Sequence, residues 1–226
     1  SATRTETAPT KRTLLVYSAG YNSISSYLTD DIEDICSGYV PYNYPYCDNL
    51  LIFASNCKTG KTPCLIKVSK TREDAVVRDT VRFWPAGTSA VDTETLADVL
   101  TYVRDNYPSA EYGMIFSSHA TGWLPEQTLS TGIFPSSPES TSGLNGKSRP
   151  QRTIGQDSST KAEMDVKDFA EALPFTLKYI VFDACLMGGI ETAYELRNKC
   201  EHIVFSQAEI LADGMVYTNI VNRLLG

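Results

Sequence analysis

The chain has 226 residues, of which 42% are hydrophobic and 21% are charged, so it is long enough to bury one sizeable hydrophobic core. Its net charge of −7 and isoelectric point near 4.9 argue against nucleic acid as a partner, because a predominantly acidic surface repels phosphate. No apolar run approaches the roughly 20 residues that cross a bilayer, so no membrane span is expected.

The beginning of the chain is polar and aperiodic, which predicts a flexible arm over residues 1–12 followed by a single domain over 13–226. A start at Ser1 rather than Met favours export after removal of a leader, although a trimmed chain would look the same.

The first half of the domain alternates between strand and helix patterns. Apolar residues at helical spacing predict a helix between residues 24 and 35, and a second helix begins with the N-terminal signature at 92–94. Short apolar runs bounded by turn residues predict strands at 13–19, 49–55, 64–68 and 80–84. The last two of these strands are expected to pair as a hairpin.

The second half contains the two most strand-like runs of the chain, 112–118 and 179–183, and each ends in a polar cluster. The region 124–160 between them is rich in Ser, Thr, Gly and Pro and too long for an ordinary connection, so it predicts an exposed insertion. Helices are predicted at 165–173 and 190–198, and a last strand at 203–206. This alternation predicts an α/β sandwich with a mainly parallel sheet.

Four of the six cysteines lie in one early region: Cys36, Cys47, Cys57 and Cys64. They are compatible with one or two disulfides in an oxidising compartment, for which four cysteines allow three connectivities, or with buried thiols. No paired C-x-x-C spacing is found, so zinc is not expected.

His119 and Cys185 each follow a predicted buried strand, where the loops of a parallel sheet collect functional groups. A thiol attacks carbonyl carbon only as thiolate, so it needs a neighbouring base or cation to lower its pKa from about 8.5. Two adjacent strands would bring the pair together. Backbone N–H groups near Gly188, Gly189 or Gly122 are candidate donors to an oxyanion.

Other catalytic patterns are weaker. Cys200 and His202 form a rival pair, but no glycine-rich segment surrounds them, and we interpret them as structural. The sequence contains neither a glycine-rich phosphate loop nor a nucleophile elbow of the G-x-S-x-G type.

The strings LLVYSAGYN at 14–22, IFSSHATGW at 115–123 and FDACLMG at 182–188 resemble the clostripain family of cysteine peptidases. The resemblance implies the caspase-like αβα sandwich that gingipains and legumains share, a dyad of His119 and Cys185, and cleavage after basic residues. Ala120 stands where caspase-like peptidases commonly place glycine. This departure affects the oxyanion donors, for which Gly122 and Ala120 are the candidates.

A preference for Arg or Lys requires a carboxylate in the specificity pocket, because a buried cation needs a partner. Asp183 and Asp213 are the candidates, the second in a loop that its following glycine allows to turn. By resemblance, self-cleavage between His and Cys is expected, after Lys147 or Arg152. Arg149 is a poor site because proline follows it.

We therefore expect a monomeric endopeptidase that acts on proteins or peptides and is secreted or surface-bound, with periplasmic and lipid-anchored forms left open. The expected mechanism needs no cofactor; calcium is suggested only by the resemblance, and no ligand spacing supports it. The alternative is a catalytically silent binding or adhesion module on the same scaffold.

Overall fold

The computed structural model describes residues 10–18, 36–54, 62–118, 153–157, 162–184, 190–205 and 223–225. Its strands are β1 (Thr10–Ser18), β2 (Asn49–Ala54), β3 (Cys64–Lys70), β4 (Val76–Phe83), β5 (Ser109–Ser118), β6 (Thr153–Asp157), β7 (Ala162–Asp165), β8 (Leu177–Ala184) and β9 (Cys200–Phe205). Its helices are α1 (Thr93–Asn106), α2 (Val166–Ala172) and α3 (Ile190–Leu196).

Seven strands form one sheet in the order β4-β3-β2-β1-β5-β8-β9. The pairs β2–β1, β1–β5, β5–β8 and β8–β9 are parallel, whereas β3 is antiparallel to both β2 and β4. The mainly parallel sheet and the β3–β4 hairpin are therefore confirmed. Parallel strands end together, and we call the end marked by Ser18, Ala54, Ser118, Ala184 and Phe205 the carboxyl edge.

Both faces of the sheet are buried at its central strands, which explains why those strands are almost continuously apolar. On one face, residues such as Leu15, Met114 and Ile180 pack in a cluster with apolar side chains from α1, α2 and α3. On the opposite face, Leu14 and Ile115 pack in a cluster with Cys36, Val40 and Leu225, among others.

Helices α1 and α2 begin within one residue of their predicted starts. Helix α1 follows Asp92 at its N-cap and buries Leu96, Val99, Leu100 and Val103, residues at helical spacing. In α2 the carboxylate of Asp165 accepts a 2.7 Å hydrogen bond from the backbone N–H of Lys167, which satisfies an otherwise unpaired helical donor.

Several strands begin three or four residues before their predicted starts, namely β1, β4, β5 and β9. Strand β1 begins at Thr10, so residues 10–12 belong to the sheet and not to the predicted arm, because this polar stretch extends the pairing of β1 with β5. Within the predicted insertion, Thr153–Asp157 forms β6, which pairs antiparallel with β7. The helix predicted between residues 24 and 35 lies outside the described residues.

Arg12 joins distant parts of the chain. Its guanidinium donates to the carbonyl oxygens of Leu224 and Leu225 at 2.8 and 2.7 Å and contacts Asp48 Oδ2 at 3.0 Å. The Asp48 side chain is only 7% exposed, so the ion pair is well shielded from water. We call this set of contacts the Arg12 clamp.

The cysteines that the structure describes are in two states, and Cys57 and Cys185 lie outside the described residues. Cys64 is disulfide-bonded, whereas Cys36, Cys47 and Cys200 are thiols, with Cys36 and Cys200 buried. The early cysteine region thus contains both a disulfide-bonded cysteine and thiols, the two alternatives that its sequence left open. Among the described residues, no helix is long and apolar enough to cross a membrane.

Candidate active site

The two strands that precede the predicted catalytic residues are neighbours and end level with one another. β5 and β8 pair in parallel, with Ser117 opposite Asp183 and Ser118 opposite Ala184, the last residue of each strand. The next residues in sequence are His119 and Cys185, which lie outside the described residues. The structure therefore defines the residue directly before each predicted catalytic residue, Ser118 in β5 and Ala184 in β8.

Most other predicted site residues also lie outside the part of the chain that the structure describes. These are Ala120, Gly122, Gly188, Gly189 and Asp213. The same is true of the predicted processing residues Lys147 and Arg152, the second of which directly precedes β6. For Asp183 the backbone is described, at the penultimate position of β8.

A row of aromatic rings crosses the sheet just below the carboxyl edge. Going across β2, β1, β5, β8 and β9, the centroids of successive rings are 4.7, 5.5, 6.1 and 5.4 Å apart. The ring-bearing residues are also direct register partners across the parallel strands. We call Phe53, Tyr17, Phe116, Phe182 and Phe205 the aromatic row.

The row is held from the helical side of the sheet. Phe169 of α2 meets both Phe116 and Phe182, with ring centroids 5.3 and 5.6 Å away. The Tyr17 hydroxyl donates a 2.6 Å hydrogen bond to the carbonyl oxygen of Ala90, in the loop that follows β4. Burial, with a smaller contribution from Asp92, raises the pKa of Tyr17 well above its ordinary value, so it stays a neutral donor.

Sequence reasoning did not identify this row, although its signal is present. Tyr17, Phe53, Phe116 and Phe182 each stand immediately before the small or acidic residues that end an apolar strand. Only the register shows that these similar strand endings lie side by side.

The rival pair at β9 is not arranged for catalysis. The Cys200 thiol is buried, its S–H donates to the carbonyl oxygen of Leu196 at 3.7 Å, and burial raises its pKa to about 11. A nucleophilic cysteine needs the opposite shift. His202 is exposed on the same strand. Both residues fit the structural interpretation.

An acidic groove of about 290 Å³ lies between α1 and α2, lined by Glu94, Asp168 and Glu171 among others. Within the described ranges no group of His, Cys, Asp and Glu side chains is arranged to hold a metal ion. The residues that line the groove include neither cysteine nor histidine, so the groove cannot supply the thiol and imidazole of a cysteine peptidase.

The sheet order, the helices packed on it and the two level strand ends define the caspase-like class of α/β sandwich. Within that class, the sequence profile of the clostripain family matches residues 16–137 and 138–225, and the chain belongs to this family. The predicted fold and family are thereby confirmed, and the family is one of cysteine peptidases.

Several solved structures are similar to nearly the whole chain. A secreted C11 cysteine protease from Bacteroides thetaiotaomicron, in complex with an irreversible peptide inhibitor, is 31% identical with a TM-score of 0.74. An inactive zymogen C11 protease from Parabacteroides distasonis is 27% identical with a TM-score of 0.73. In both cases the match covers 96% of this chain and 54% of the other. The chain thus spans about half the length of these proteins.

A further secreted C11 cysteine protease from Bacteroides thetaiotaomicron has a TM-score of 0.75 at 22% identity, over 96% of this chain and 58% of the other, and supports the fold alone. A search of curated proteins found no match.

Proposed function

We propose that the chain carries the catalytic residues of a cysteine endopeptidase, with Cys185 as the nucleophile and His119 as its partner. The observation that carries the proposal is the pairing of Ser118 with Ala184, each the last residue of its strand. Neighbouring parallel strands lie about 4.8 Å apart, and each following Cα is about 3.8 Å further along its chain. The imidazole and the thiol therefore start from positions within reach of each other.

The chemistry follows from these two groups. The thiolate of Cys185, stabilised by the imidazolium of His119, attacks the carbonyl carbon of the scissile peptide. His119 then donates its proton to the leaving amine, and water hydrolyses the acyl-enzyme. Backbone N–H groups at Ala120 and Gly122 are the proposed donors to the oxyanion. Their hydrogen bonds stabilise the oxyanion most in a site that excludes water.

We assign the preference for Arg or Lys to carboxylates close to the nucleophile. Asp183 lies two residues before Cys185 and is the register partner of Ser117, at the carboxyl edge. Asp213 is the second candidate. A buried guanidinium or ammonium of the substrate needs such a partner, so a carboxylate here favours a basic side chain before the scissile bond.

Maturation by self-cleavage after Lys147 or Arg152 is part of the same proposal. The description of one relative as an inactive zymogen supports a processing step. Arg152 immediately precedes β6, so cleavage there would free the chain directly before a paired strand. We further propose a secreted or surface-bound monomer that acts on proteins or peptides, does not bind nucleic acid and needs no cofactor; secretion is supported by the description of a relative as secreted.

The test is hydrolysis of fluorogenic peptides ending in Arg, Lys, Asp, Asn or Leu by the wild-type protein and by Cys185→Ala and Cys200→Ala. We expect turnover of the Arg and Lys peptides only, its loss in Cys185→Ala, and its retention in Cys200→Ala, because the buried Cys200 thiol resists ionisation. A folded wild-type protein that cleaves no peptide, and whose Cys185 is not labelled by a peptidyl probe ending in Arg or Lys, would instead favour the silent binding module.

A further inference from the structure

The two predicted catalytic residues are the same number of positions away from the aromatic row along the chain. Phe116 lies three residues before His119, and Phe182 lies three residues before Cys185. Phe116 and Phe182 are also direct register partners. The distance along the chain from the row to the reacting group is therefore the same on both strands.

One helical side chain contacts both of these rings. Phe169 of α2 packs edge-on against Phe116, with an interplanar angle of 83°, and at a tilt of 54° against Phe182. All three side chains are 0% exposed. Because protein interiors are close-packed, neither strand end can shift relative to the other without displacing this shared ring.

We propose that Phe116, Phe182 and Phe169 are positioning residues that fix the height and separation of the strand ends carrying His119 and Cys185. This proposal rests on the proposed function. The rings do not touch the substrate, so their effect on catalysis passes through the ion pair between imidazole and thiolate. Displacement of the reacting groups by about 1 Å can lower the rate by about 100-fold. We therefore expect a small shift of the strand ends to reduce kcat more than it reduces the stability of the fold.

The row itself supplies a matched control. Phe53 belongs to the same row, is also 0% exposed, and stacks on Tyr17 as closely as any pair in it. It lies on β2, however. Strand β1 separates β2 from β5, and strands β1 and β5 separate β2 from β8. Phe53→Leu therefore removes a ring of equal size and burial without altering the strands of the predicted dyad.

The experiment compares Phe116→Leu, Phe182→Leu and Phe53→Leu in kcat, KM and thermal midpoint. We expect kcat to fall about 10-fold or more in the first two variants, with KM little changed, whereas Phe53→Leu keeps kcat within about twofold despite a similar fall in midpoint. Equal losses of kcat in all three variants would overturn the proposal, since the rings would then act only through stability.

A second measurement does not depend on overall stability. The rate of alkylation of Cys185 against pH reports its thiolate, in a Cys47→Ser background that removes the partly exposed thiol. We expect a higher apparent thiol pKa in Phe116→Leu and Phe182→Leu, because a displaced imidazolium stabilises the thiolate less, and no change in Phe53→Leu. An unchanged profile in all three would also overturn the proposal.

The two hypotheses fail separately. If the wild type neither cleaves peptides nor is labelled at Cys185, the proposed function fails. If the wild type is active and Cys185→Ala is not, but the three ring variants behave alike, only the positioning role fails. Phe169→Leu is a further check, because Phe169 lies on α2 and on neither strand. We expect this variant to lower kcat as Phe116→Leu and Phe182→Leu do.

Discussion

Gly113 in β5 lies directly against the side-chain ring of Tyr179 in β8. The two residues are register partners, and a Cβ added at Gly113 would overlap the tyrosine ring. Burial raises the pKa of Tyr179 to about 12, with Asp48 and Glu111 adding to the effect and Arg12 opposing it. The ring is partly buried and packs against the core of Leu14 and Ile115, so it cannot move aside without loss of packing.

We expect Gly113→Ala to lower the free energy of unfolding by about 1–3 kcal/mol, the usual cost of overpacking. Tyr179→Leu in the same chain should relieve much of this cost, because the overlap is with the ring. Urea unfolding of both single variants and of the double variant measures the coupling. Strictly additive effects would show that the strain lies elsewhere.

At the residue scale the sequence predicts chemistry better than geometry. The flanking strings predict His119 and Cys185 as the dyad, yet nothing in those strings shows that Ser118 and Ala184 are register partners. Tyr179 over Gly113 was equally hidden, since a glycine within a strand signals only that something approaches it. Contacts between strands distant in sequence depend on register, which local patterns do not determine.

At the scale of single elements, the N-cap of α2 is a local feature whose contribution can be isolated. Asp165 is the last residue of β7 and its carboxylate caps the helix through Lys167 N. The strand–helix boundary therefore depends on one side chain.

Asp165→Ala should cost about 1 kcal/mol of stability, the typical contribution of an N-cap. Asp168→Ala, also in the first turn of α2, is the control: it removes a comparable charge near the helix N-terminus but not the capping bond, so its effect should be smaller. Thermal or urea unfolding compares the two variants. Equal losses would indicate that charge, not the cap, matters.

Elements with a strong period were predicted closely from the sequence, and irregular ones were not. Helix α1 and strands β2 and β8 fall within a few residues of their predicted bounds, because apolar periodicity and capping are local signals. Strands β6 and β7 were not predicted as strands. Their residues are mostly polar, and their pairing with each other is what makes them strands.

At the scale of the whole molecule, the Arg12 clamp joins described residues that are up to 213 positions apart. It links β1 to a helical turn at 223–225 and to the residue before β2. With the Asp48 side chain 7% exposed, loss of Arg12 would leave a carboxylate poorly hydrated and two carbonyl oxygens without this donor.

Arg12→Met should lower the free energy of unfolding by about 3–5 kcal/mol, because removing one partner of a shielded ion pair leaves the other charge uncompensated. Combining it with Asp48→Leu should recover a large part of the loss, since no buried charge then remains. Urea midpoints of the single and double variants decide this. A double variant as unstable as the single one would assign the loss to the carbonyls of Leu224 and Leu225.

The clamp also has a consequence for the order of folding. Arg12 and Leu225 are 213 positions apart, so their contact cannot form until residue 225 has been synthesised. Closing so long a loop is also entropically unfavourable until the sheet exists. A contact that forms after the rate-limiting step affects unfolding and not folding. Loss of the clamp would therefore shorten the lifetime of the native state while leaving the speed of refolding almost unchanged.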